Sequence, residues 1–308
     1  MSSVAHVALV PRSVKVDISD VANVAAALSI QILRDFGPIW GISATVSAFA
    51  RPNDVPVGYW PIYIEEPNKL PEGAGGVHLD SRNQPYALIA MGEHWSLEAS
   101  HECLEMLVDP FGNRLHASPL LDAAVQFGLP QHQVQYVVEV CAPVEDAQFG
   151  YQIDGVLVSD FFTPSFYGPA ASSGLRYDFI GALSGPLEVL PNGYISWLDP
   201  VTSDTMELQN FLGPDCRLHP NVANLSQSLL FLDVLQKEAF RPAIDRVTLK
   251  PNLLSGLNRE QQIAFETRHR AVRHAAQMNS RRMQEEVNLI YAEYEAFKQV
   301  APFEGTAY

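Results

Sequence analysis

Five consecutive residues, His101-Glu102-Cys103-Leu104-Glu105, combine the side chains that a hydrolytic metal centre needs. On an α-helix, residues four apart share a face, so His101 and Glu105 project together. An imidazole and a carboxylate in that relation can bind one Zn²⁺. Glu102, next to the first ligand, is placed to act as general base toward a metal-activated water. Zinc brings the pKa of such a water toward about 7, so the chemistry runs at neutral pH. The spacing is His-Glu-x-x-Glu rather than the commoner His-Glu-x-x-His. A carboxylate in place of the second imidazole weakens the Lewis acid and suits harder cations, Mn²⁺ or Fe²⁺, as well as zinc.

A third ligand must come from outside the motif. Glu139 is the first choice, because a carboxylate among Tyr136, Val137, Val138, Val140 and Cys141 needs a partner. Asp109, eight residues after His101 on the same stripe, is the reserve, although Asp109-Pro110 also reads as a helix stop. Glu145, Asp146 and Asp160 are further candidates. Cys103 is two residues from His101 and points away from it, so it reads as a buried thiol rather than a nucleophile. Glu98-x-x-His101 and Glu266-x-x-His269 match the spacing of di-iron bundles, but the surrounding sequence is β-rich. Tyr167 and Tyr194 could donate to an oxyanion or simply pack. His78 could line a cleft or be a loop histidine.

These residues need a scaffold. Residues 4–10 read as a strand. A helix capped by Ser19 or Asp20 runs to about Asp35 and stops at Gly37-Pro38. Strands follow near 41–50, 59–64 and 85–91, with Gly73-Ala-Gly-Gly76 as a turn. Ser96 then caps the motif helix, 97–108. Residues 134–141 are β-rich, 151–158 form a hairpin at Asp154-Gly155, and 193–197 form a short strand. Val222 to Phe240 and Arg259 to Lys298 read as helical. The expected architecture is α+β: a zincin-like mixed sheet with a motif-bearing helix, plus an α-helical C-terminal region. The expected division is residues 1–218, binding metal, and 219–308, helical.

The segments Ser100-His-Glu-Cys-Leu-Glu-Met-Leu-Val-Asp-Pro110, Tyr136-Val-Val-Glu-Val-Cys141, Gly155-Val-Leu-Val-Ser-Asp-Phe161 and Gly193-Tyr-Ile-Ser-Trp197 together resemble a family of largely uncharacterised bacterial zincin-like proteins. The resemblance covers roughly residues 40–215. It implies metal ligation by His101 and Glu105, and a base role for Glu102.

The net charge of −15 argues against a broad nucleic-acid-binding surface. Residues 259–298 are nearly balanced, so the acidic excess lies elsewhere. Three cysteines without a Cys-x-x-Cys pair fit a reducing compartment. No apolar run is long enough to span a bilayer, and no basic-then-apolar leader opens the chain. A cytoplasmic location is expected, with export by a dedicated system left open. The expected activity is zinc-dependent hydrolysis of a peptide or protein substrate. The alternative is a non-catalytic assembly protein that keeps the scaffold and oligomerises or docks through residues 259–298.

Overall fold

The computed structural model describes residues 4–70, 74–81, 83–212 and 218–224. The expected helix over Arg259–Lys298, and all but the first residues of the one expected from Val222, lie outside them.

The first half of the chain builds a five-stranded sheet from β1 (Ala5–Pro11), β2 (Ala44–Ala48), β3 (Trp60–Glu65), β4 (Gly76–Ser81) and β5 (Gln84–Ala90), in the order β2-β1-β3-β5-β4. The first four in that order run parallel; β4 turns back antiparallel to β5 and forms the edge. Both faces are covered, as a mostly parallel sheet requires. Val7, Leu9, Ile62, Ile64, Ala87 and Ile89 face the main core with the helices. Val10, Tyr63, Leu88, Val77 and Leu79 face a second, smaller core. Strand alternation therefore fixes His78: with Val77 and Leu79 on the smaller-core face, His78 must point the other way.

Helix α1 (Ile18–Ile30) is capped by Asp17, whose carboxylate accepts from the Ser19 amide, two or three residues earlier than the sequence suggests. It does not stop at Gly37-Pro38. It passes through a π-helical turn, Gln31–Phe36, into a short α2 (Gly37–Trp40), which ends at left-handed Gly41. Pro38 is tolerated because it sits in the first turn of α2. Gly37 is there for space: a Cβ would lie 2.5 Å from the Ile42 carbonyl oxygen and 2.7 Å from that of Ile32.

The motif helix α3 (Trp95–Val108) is rich in Leu, Ala, Glu and Met, all good helix formers. Every residue from Ala99 to Val108 is buried. It begins after His94, not Ser96, whose hydroxyl instead donates to the Leu157 carbonyl. A buried polar clamp anchors its middle. Ser100 donates to Gln31 Oε1 at 2.7 Å and accepts from the Ser159 amide at 3.0 Å; Gln31 Nε2 donates to the Ser159 carbonyl at 2.8 Å. The π turn of α1 thus aims Gln31 at the helix that carries the motif, a use to which such register shifts are often put.

Beyond α3, β6 (Leu115–Pro119), α4 (Asp122–Gln126) and β7 (Gln133–Val137) lead to the hairpin β8 (Tyr151–Ile153) and β9 (Val156–Val158), turning at Asp154-Gly155 as expected. Strands β10 (Tyr194–Leu198), β11 (Thr205–Leu212) and β12 (Leu218–Asn224) complete a second sheet, antiparallel, in the order β12-β11-β10-β7-β6. The helix expected from Val222 is strand through Asn224, because β12 pairs with β11 along that length. The α+β class holds. Among the described residues, no helix is long and apolar enough to cross a membrane.

Candidate metal centre

The site lies between α3 and the edge strand β4. The two approach closely because the strand starts with glycines. A Cβ on Gly76 would fall 2.5 Å from Glu102 Cγ and 2.6 Å from its Oε1, and one on Gly75 would strike the Glu98 carboxylate. Neither glycine has a left-handed backbone, so the requirement is for room alone. Gly76→Ala is expected to push β4 and Glu102 apart at a cost of about 1–3 kcal/mol. A chemical-denaturation midpoint equal to that of the unsubstituted protein would contradict this.

Across the gap, His78, Glu102 and Glu105 bring one ligand atom each within 4.8 Å of one another, all three buried. His78 Nδ1 is 3.3 Å from Glu102 Oε2 and 3.7 Å from Glu105 Oε2. His101 Nε2 is 3.2 Å from the other oxygen of Glu105, Oε1. Glu105 therefore stands between two imidazoles. Its Oε1 also accepts the backbone amides of Cys141 at 3.1 Å and Ala142 at 3.2 Å. Those amides follow β7, so the carboxylate ties the motif helix to the segment after that strand.

The donor set fits a divalent cation. Glu102 and Glu105 are 2% and 0% exposed, and two carboxylates in so dry a place are costly without compensating positive charge. His78 Nε2 is buried with no hydrogen-bond partner among the described residues. Imidazole and carboxylate together suit Zn²⁺, and also Mn²⁺ or Fe²⁺. The same field acts on His101. Burial alone would lower its pKa, but the charge and hydrogen bond of Glu105, helped by Glu102 and Glu145, outweigh it and push the pKa up to about 10. Burial likewise raises the pKa of Glu98. It pushes the Cys103 thiol up to about 12, which leaves that thiol inert at neutral pH.

The other candidates fall in different places. Glu139 is buried, but on the loop after β7 rather than in the strand. There the Tyr194 hydroxyl donates to its Oε1 at 3.5 Å, and it is outside the three-residue cluster. Asp109 uses its two oxygens on the Asn113 and Arg114 amides, closing the turn after the helix, and is outside the three-residue cluster. Glu145 is half-buried and near enough to His101 to act on its charge. Asp146 caps the short turn at Gln148 and accepts from Asn192. Asp160 faces Asp178 and takes the Ile180 amide; burial and that second carboxyl push its pKa up to about 9. The Tyr167 hydroxyl is buried without a partner among the described residues, and its ring stacks on His116 at 4.1 Å. Burial raises its pKa, and the charges of Glu139 and Glu105 add to that, so it is a neutral donor near the site.

The sequence left His78 as either a cleft-lining residue or a loop histidine; it lies in strand β4. The missed signal was the alternation Gly76-Val-His-Leu-Asp80, in which one polar residue between two apolar ones implies a strand with opposed faces. Compared with protein-family models, with curated proteins and with solved structures, the chain finds no match in any of the three.

Proposed function

We propose that the protein is a metal-dependent hydrolase of the zincin type acting on peptide bonds, with His101 and Glu105 holding the cation and Glu102 serving as general base. The observation that carries this reading is the buried group of His78, Glu102 and Glu105 between α3 and β4, with His101 outside that group but against the other oxygen of Glu105. The sheet order supports it, because an antiparallel edge strand beside the motif helix is where a zincin aligns its substrate. A bound cation would supply Lewis acidity, lowering the pKa of water and polarising the scissile carbonyl. The chain's residues do the rest. Glu102 accepts the proton of the attacking water and can return it to the leaving amine. Its position is set by Gly76 on one side and His78 on the other. The Tyr167 hydroxyl, held neutral, is available to donate to a developing oxyanion.

The test uses the full chain, stripped with a chelator and reloaded with Zn²⁺, Mn²⁺ or Fe²⁺. Stoichiometric binding of one cation and chelator-sensitive cleavage of a quenched peptide library are expected. Failure of all three cations to bind at near-neutral pH would refute the reading.

A further inference from the structure

We infer that His78, carried by the edge strand β4, is a metal ligand through Nδ1 and joins the carboxylates that the motif helix presents to the same gap. The inference rests on the metal-dependent reading above. His78 is 1% exposed and turned away from the apolar face that Val77 and Leu79 occupy. Its Nδ1 looks at two carboxylate oxygens at once, at 3.3 and 3.7 Å. A proton on Nδ1 serves Glu102 but leaves Glu105 Oε2 beyond hydrogen-bond range. A cation can sit between Nδ1 and Glu105 Oε2 and leave Glu102 beside it, since ligand atoms at about 2.0–2.1 Å around a tetrahedral ion lie about 3.3–3.5 Å apart.

The arrangement divides the group between two elements: Glu105, with Glu102 a turn before it, from α3, and His78 from β4. The glycines at 75 and 76 then have a purpose in the chemistry, because only a strand this close to the helix can offer an imidazole to the same ion.

The experiment loads the full, ¹⁵N-histidine-labelled chain with ¹¹³Cd²⁺ and reads cadmium–nitrogen coupling at each imidazole, assigned by single His→Gln substitutions. Coupling at His78 Nδ1 is the expected result. Coupling at His101 but not at His78 overturns the inference and leaves the proposed function standing. No cadmium or zinc binding by the unsubstituted chain overturns both. Zinc affinity of His78→Ala, measured against a chromophoric chelator, gives a second reading. Loss of a ligand should weaken binding by more than the roughly 10–100-fold typical of residues that merely orient one. A smaller loss makes His78 a positioning residue for Glu102 and overturns the assignment. The coupling measurement uses the unsubstituted protein, so it stands even if His78→Ala fails to fold.

Discussion

Glu102→Gln should lower peptide cleavage by about 10²–10⁴-fold while zinc stays bound, the loss expected when a general base is removed. The substitution is nearly isosteric. The amide keeps the packing of the side chain against Gly76, where Cγ and Oε1 leave no room for change. It keeps an oxygen or nitrogen facing His78 Nδ1. What it loses is the capacity to take a proton. Paired measurements decide the matter: turnover of a peptide selected from the library, and zinc content by elemental analysis. Activity within tenfold of the unsubstituted protein would remove Glu102 from the base role. Loss of zinc together with activity would make Glu102 a ligand, which its place in the cluster with His78 and Glu105 also permits.

Glu105→Gln should weaken zinc binding by at least about 100-fold and abolish cleavage, because it removes an anionic ligand that lies between two imidazoles. The fold should survive. A glutamine oxygen can still accept the Cys141 and Ala142 amides that Glu105 Oε1 holds. The same variant has a signature in the metal-free protein. Glu105 is the chief reason that the pKa of His101 rises from 6.5 to about 10 against the pull of burial. A histidine whose pKa is raised in the folded state stabilises it fully below about 6.5, and that contribution disappears as pH climbs through about 10. The metal-free protein should therefore lose stability across that window, while Glu105→Gln should show a flatter profile and a neutral His101 at pH 8. Melting curves at several pH values and histidine NMR would read both. A His101 imidazole still protonated at pH 8 in Glu105→Gln would show that another group holds its proton.

The motif helix was legible in the sequence because its signals are local. Four-residue spacing sets the shared face, and Asp109-Pro110 ends the element; the structure keeps both. The α1 stop was misread for an equally local reason. Gly37-Pro38 has the composition of a terminator, but whether it terminates depends on what packs there, and the carbonyls of Ile32 and Ile42 need the missing side chain. Asp109 could be assigned only by finding where its oxygens go. His78 was harder. A histidine after a glycine run reads as loop until β4 is paired with β5, and only pairing decides which face it takes. Glu139 drew attention because it interrupts an apolar run, a sound sign of burial but not of direction. Its place on the loop after β7 depends on where the strand ends, which composition does not mark.

The amides that Glu105 accepts lie 36 and 37 residues further along the chain, and the imidazole facing Glu102 lies 24 residues before it. During synthesis, at roughly 5–20 residues per second, several seconds separate the making of the helix from the making of the peptide units that orient its carboxylate. For that interval the helix carries buried-type acids with only half their surroundings in place. A nascent chain halted before residue 141 should hold β4 and α3 yet bind zinc poorly. On the proposed reading a cation would enter late, once the segment after β7 has docked on the helix, rather than early as a nucleus around which the first sheet folds.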